Sequence, residues 1–241
     1  MATGYLLSME ELNNGSDVQR LFEEAVQKLD TYRLEKVNRL KTEKARNEAL
    51  GAGLLLQFAV QKQSLSEQAL QKQEMRNEAI GDDGPSFERL SLSELLEQLG
   101  DPVQIAYRHG PHGKPYFPDG MGHFNLSHSD GLVCAVFDQD DIGVDIQRMR
   151  PLQIMRLADR FFSKRERKAL ASCVDPKRKA KLFYRIWVKK ESYAKLTGEG
   201  IATVVERDTF ALSQQVVWQD YEVSEGYCMA VCQYNKAVRS V

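Results

Sequence analysis

Hydrophobic and polar positions divide this chain into stretches of different period. Tyr5 to Met9 reads as a short strand, and residues 16 to 78 carry apolar positions at helical spacing with few glycines and no proline. Within that region, residues 62 to 80 are rich in Gln, Glu and Ser, which suits a solvated helix or a mobile stretch. Gly81-Asp82-Asp83-Gly84-Pro85 is a break. Leu92 to Leu99 predicts a short helix capped by Ser91 or Ser93. From residue 103 the pattern becomes strand-like, interrupted by a Gly/Pro/His-rich loop at 109 to 122. After residue 150 helices are expected to about Leu196, then strands to the end, the last from Gly226 to Tyr234. No internal repeat is visible in the letters.

Three of these segments carry chemistry. Ile142-Gly143-Val144-Asp145-Ile146-Gln147 predicts a strand with Asp145 and Gln147 on one face, about 7 Å apart. That face is either the polar side of a surface strand or a pair of oxygens for a hard cation. Between Lys177 and Leu196, the apolar residues Leu182, Phe183, Ile186 and Trp187 define a helical stripe on which Glu191 and then Lys195 fall at i+4 steps. A carboxylate on a core-facing stripe needs a partner, either Lys195 as an i,i+4 ion pair or a metal ion. His123 to Phe137 reads as strand, turn, strand, with Asp130-Gly131 as the turn. Ser127 and His128 then sit near its strand end, either as ordinary hairpin residues or as a hydroxyl and imidazole for a phosphate oxygen.

Composition narrows the classes. A chain of 241 residues with 42% hydrophobic content supports a sizeable core in one large domain or two small ones. A net charge of −1 gives no global signature for nucleic acid. The basic residues Arg33, Lys36, Arg39, Lys41, Lys44 and Arg46 alternate with acidic ones, as on a solvated helix face. No apolar run reaches membrane-spanning length and no signal-peptide pattern opens the chain, so neither a membrane nor secretion is expected. Cys134, Cys173, Cys228 and Cys232 lack zinc spacing; three lie in apolar runs, which points to free thiols in a reducing cytoplasm.

Taken in order, Gly113-Lys114-Pro115-Tyr116, Phe124-Asn125-Leu126-Ser127-His128-Ser129, Ile142 to Gln147, Arg160 to Glu166 and Trp187 to Ile201 resemble the 4'-phosphopantetheinyl transferases. The resemblance covers Gly113 to Ile201 and fits the last strand, while residues 1 to 110 match loosely. Its layout is similar to the monomeric, two-half type that activates surfactin synthetase, not the short trimeric type. The resemblance implies an α+β fold of two similar halves about a pseudo-twofold axis, 1–140 and 141–241. It implies transfer of phosphopantetheine from coenzyme A to a serine of an acyl, peptidyl or aryl carrier protein, with magnesium or manganese. Asp145, Gln147 and Glu191 would hold the metal, and Glu191, Lys195 and Asp145 would be catalytic. Arg46, Arg108, Lys114, Ser127 and His128 would join Asp145, Glu191 and Lys195 around coenzyme A. Many relatives have Glu where this chain has Gln147, which removes one negative charge. Three other readings are weighed: a non-catalytic coenzyme A-binding scaffold, another magnesium-dependent enzyme acting on a nucleotide pyrophosphate, and a helical interaction module suggested by residues 16 to 80, which would leave the Gly113 to Ile201 blocks unexplained.

Overall fold

A computed structural model describes residues 2–14, 17–70, 85–110, 113–118 and 121–236. Its elements run β1 (Thr3–Ser8), α1 (Glu10–Asn14), α2 (Val18–Gln27), α3 (Thr31–Arg39), α4 (Glu43–Leu70), β2 (Ser86–Leu90), α5 (Leu92–Gln98), β3 (Arg108–His109), β4 (Pro115–Tyr116), β5 (His123–Ser129) and β6 (Leu132–Asp138). They continue as β7 (Ile142–Arg148), α6 (Ile154–Phe161), α7 (Lys164–Ser172), α8 (Pro176–Thr197), α9 (Ile201–Val204), α10 (Thr209–Leu212), β8 (Val216–Tyr221) and β9 (Tyr227–Tyr234). This is the mixed α and β chain expected. Of the Gln-rich stretch, 62–70 completes α4; 71–80 and the break at 81–84 lie outside the described residues. Two short helices, α9 and α10, stand before β8 where strands alone were expected.

The chain packs as two compact units. The first comprises Met1–Ala106 with His128–Ala135. Here β1 pairs in parallel with β2, from Thr3 opposite Ser86 to Leu7 opposite Leu90. The strand order of this sheet is β2-β1-β6-β5. Against it α4 buries Leu50, Leu54, Leu55, Leu56 and Phe58. α5 starts at Ser91, whose hydroxyl and Glu94 form a reciprocal capping box. The turn between β5 and β6 has Asp130 at φ 52° and Gly131 at φ 84°, the two positive values that an Asp-Gly hairpin turn requires.

The second unit comprises Tyr107–Ser127 with Val136–Val241. Its main sheet is antiparallel, in the order β7-β9-β8, with β7 at an edge. α8 lies on β7 and β9, and the capping residues explain where this helix begins and ends. The Asp175 carboxylate accepts from the Arg178 N–H, Pro176 occupies the first turn, and Gly198 closes the end at φ 74°. α7 starts in the same way as α5, with Ser163 and Glu166 as a capping box.

The path from β1 through α4 to the β5–β6 hairpin has a counterpart from β7 through α8 to the β8–β9 hairpin. In each, the second hairpin strand neighbours the first strand, as β1-β6-β5 and β7-β9-β8.

Candidate active site

The site begins with a glycine. A Cβ on Gly143 would collide with the Ser192 carbonyl and stand 2.6 Å from the Leu196 backbone nitrogen. Gly143 therefore lets α8 settle directly on β7, the close approach for which a strand interior uses glycine. The Gly143, Asp145 and Gln147 face is thus covered by a helix rather than open to solvent. Asp145 is buried, and so are Ile142, Val144 and Ile146 on the opposite face.

Asp145 is held from three directions. Lys195 of α8 places its ammonium 2.7 Å from Oδ1, the Ser127 hydroxyl donates to the same oxygen at 2.9 Å, and the Gln147 amide donates to Oδ2 at 3.1 Å. The Ser127 hydroxyl also accepts from Lys195 at 2.8 Å and from the Ile146 N–H at 3.2 Å. Its one donor and two acceptor positions are all engaged within the protein. Two residues earlier, the Asn125 side chain accepts from the Val144 N–H at 3.2 Å. Asn125 and Ser127, both on β5, thereby satisfy two backbone donors on the edge of β7. Sequence reasoning missed Asn125; the F-N-L-S alternation that puts both side chains on one face was the available signal.

Glu191 is half-buried on α8, one turn before Lys195. The ion pair that helical spacing allowed between them gives way to Lys195 reaching Asp145. Among the described residues no hydrogen bond reaches the Glu191 carboxylate. Burial first, and then the Asp145 charge, push its pKa from the ordinary 4.5 up to about 7, with Lys195 opposing them. Two carboxylates share one ammonium here, so the cluster is short of positive charge. Among the described residues no three His, Cys, Asp or Glu side chains gather as a metal-holding group.

Lys114 directs its ammonium at the C-terminal end of α8, 2.5 Å from the Lys195 carbonyl and 3.4 Å from that of Leu196. Burial lowers its pKa, against the pull of Asp141. It lines a cleft of about 470 Å³ together with Tyr116, His123, Phe124, Asp141 and Glu199. Arg108 is exposed on β3 opposite Tyr116. Arg46 and His128 belong to the first unit, with Arg46 exposed on α4 and His128 Nδ1 3.0 Å from Glu48 Oε2.

Lys190, read beside Glu191 as part of one block, does a different job. It is 1% exposed and its ammonium lies 2.9 Å from Glu166, which is fully buried. It donates further to the carbonyls of Val205 and Arg207. The same Glu166 accepts from the N–H and hydroxyl of Thr209 and caps α7. The node fixes the α7 start and the 205–209 loop to α8, the helix that carries Glu191 and Lys195.

A family model for the 4'-phosphopantetheinyl transferase superfamily matches residues 141–232, which contain Asp145, Gln147, Glu191 and Lys195. The Bacillus subtilis 4'-phosphopantetheinyl transferase ffp is 35% identical over 144 residues, 54% of this chain and 63% of the relative. Its counterpart Sfp from Bacillus subtilis strain 168 is 34% identical over 146 residues, 55% of this chain and 64% of the relative. A Synechocystis protein assigned by name to the same class, slr0495, is 33% identical over 180 residues, 64% of this chain and 72% of the relative. The matches thus span a little under two thirds of the first two relatives and more than that of the third. The chain belongs to the 4'-phosphopantetheinyl transferase superfamily. Within it, the similarity to ffp and Sfp places the chain with the Sfp type.

Proposed function

We propose that this protein transfers the 4'-phosphopantetheine arm of coenzyme A to a serine hydroxyl of an acyl, peptidyl or aryl carrier protein, releasing adenosine 3',5'-bisphosphate. The observation that carries this reading is the Asp145–Lys195 ion pair inside the family-matched segment 141–232, braced by Ser127 from outside that segment, with Glu191 beside it and reached by no hydrogen bond among the described residues. Glu191 is assigned to taking the proton of the incoming serine, directly or through a water it activates. The Lys195 ammonium uses two of its three donors on Asp145 and Ser127, and the third serves the phosphate oxygen on which charge develops. Ser127, with its hydroxyl fully engaged, is assigned to holding Asp145 and Lys195 in place beside the phosphates. Lys114, Arg108 and Arg46 are assigned to coenzyme A on the resemblance and on their charge, and His128 on the resemblance.

Asp145, Glu191 and the Gln147 carbonyl would supply the hard oxygen set for a magnesium ion, with manganese accepted by the same donors. The charge shortage at Glu191 fits such an ion. When bound, the ion supplies charge neutralisation for the pyrophosphate. Gln147 donates its amide nitrogen to Asp145, which leaves its carbonyl oxygen for the metal.

For the carrier, the face around α6 and the start of α7 is proposed as the docking surface. Leu152 and Met155 are exposed there, as are Arg156, Arg160, Lys164, Arg165 and Lys168. Phe162 is instead core, stacked on Phe183 with ring centroids 5.0 Å apart. Reversing charge at Arg165 and Lys168 should raise KM for an acidic carrier, with an effect that fades as salt screens the attraction. The repeated order of strand, long helix and hairpin supports a pseudo-twofold arrangement of halves 1–140 and 141–241. The reading is tested by following adenosine 3',5'-bisphosphate release, which should require carrier, coenzyme A and a divalent metal together. Release without a carrier would mark a pyrophosphate hydrolase, and no release in their presence would mark a scaffold.

A further inference from the structure

We propose that Asn125 is a positioning residue for the Asp145–Lys195 pair. Its buried side-chain amide cross-links the two backbones that carry these residues, and so sets where the Lys195 ammonium stands over the carboxylate. What the pair does rests on the transferase reading above; how it is held rests on the hydrogen bonds of this structure.

Asn125 lies on β5 and is 5% exposed. Its Oδ1 accepts from the N–H of Val144, the residue before Asp145, at 3.2 Å. That bond settles which way the amide faces, because its NH2 end cannot accept from an N–H. Nδ2 is thereby aimed at α8, where it donates to the main-chain carbonyl of Lys195 itself at 3.5 Å. This carbonyl belongs to the last turn of the helix, where carbonyls lack a helical N–H. The N–H of Gly198 goes to Ala194, and the Lys195 carbonyl takes the Asn125 amide and the Lys114 ammonium.

The other contacts leave one freedom open. Gly143 lets α8 come down on β7 beside Ser192 and Leu196, which fixes the depth of approach more than the slide along the strand. A lysine ammonium on its flexible four-carbon stem can meet a carboxylate from several backbone positions. Group transfer needs it held within about 0.5 Å of one. An amide bound at both ends, to residue 144 on one side and residue 195 on the other, removes that slack. The alternative role, a plain tie between β5, β7 and α8, involves the same bonds. It differs in one respect: Asn125 bonds only the main chain of residue 195, so a plain tie is worth the same whatever side chain stands there.

The test is a double-mutant cycle of Asn125→Ala with Lys195→Met, read by urea unfolding without coenzyme A or metal. In the parent, Lys195→Met leaves Asp145 without its ammonium and lowers the unfolding midpoint. In the Asn125→Ala background the same change should lower it by about half as much or less, because the pair is already loosened. Asn125→Ser, too short to reach the Lys195 carbonyl, should behave likewise and carries the test if the alanine variant fails to fold. Equal midpoint shifts in both backgrounds would overturn the proposal. In the transfer assay, both Asn125 variants should lose on the order of 10²-fold in kcat per folded molecule, with KM for the carrier at the parent's value. Parent-like kcat would overturn it as well. The unfolding cycle needs no transfer, so a parent that modifies no carrier would count against the transferase reading and leave the cycle to decide on Asn125.

Discussion

The Lys195 ammonium crosses from its helix to the Asp145 carboxylate at 2.7 Å, and Glu191, one turn earlier on that helix, keeps its proton to about pH 7. Its folded pKa is raised from 4.5, so its stabilising contribution is complete below 4.5 and is lost as pH rises through about 7. Metal-free protein should therefore lose Tm over that window relative to Glu191→Gln, which does not ionise. Added magnesium should recover the loss in the parent alone. Parallel Tm profiles for the two proteins would contradict the shared-charge picture.

On the proposed metal set, removing an anionic ligand should cost more than removing a neutral one. Asp145→Ala and Glu191→Ala should each abolish transfer, while Gln147→Ala retains a measurable fraction. Gln147→Glu should bind magnesium more tightly in a titration, because it adds a negative oxygen beside Asp145. Unchanged affinity would show that Gln147 does not face the metal.

Gly143→Ala tests the contact between α8 and β7. The added methyl meets backbone atoms of Ser192 and Leu196 rather than a flexible side chain. Overpacking of this kind costs about 1–3 kcal/mol. Urea unfolding should show that loss, and transfer should fall further than stability alone explains, since Glu191 and Lys195 move with the helix.

Lys190→Ala leaves Glu166 charged and unpaired in the interior, which costs about 3–5 kcal/mol. Lys190→Met in combination with Glu166→Gln should be milder than Lys190→Ala, because no buried charge is stranded. In each variant that folds, coenzyme A affinity should match the parent, as measured by titration. A selective loss of affinity with normal stability would move Lys190 from the frame into the site.

The parts of this site written in local spacing were legible in the sequence. The Asp130-Gly131 turn, the strand carrying Asp145 and the helix carrying Glu191 and Lys195 stand where periodicity and turn chemistry put them. Partnerships were not legible. Lys195 had a local partner at helical spacing and took a distant one, and Ser127 bonds Asp145 rather than presenting a free hydroxyl. Lys190 and Glu191 are adjacent in sequence but point to different environments, one sealed against Glu166 and one beside Asp145. A glycine between Ile142 and Val144 and a Ser163-to-Glu166 capping box were signals for close packing and for a helix start; the first was read only as a strand position and the second only as family letters.

The most direct measurement is intact-mass spectrometry of an acidic carrier protein incubated with this protein, coenzyme A and magnesium. The carrier should gain the mass of one phosphopantetheine arm, on its serine and not on a Ser→Ala carrier. The gain should be absent when Glu191→Ala replaces the parent. A carrier that stays at its unmodified mass across a panel of acyl, peptidyl and aryl types, or that is modified equally well by Glu191→Ala, would contradict the account.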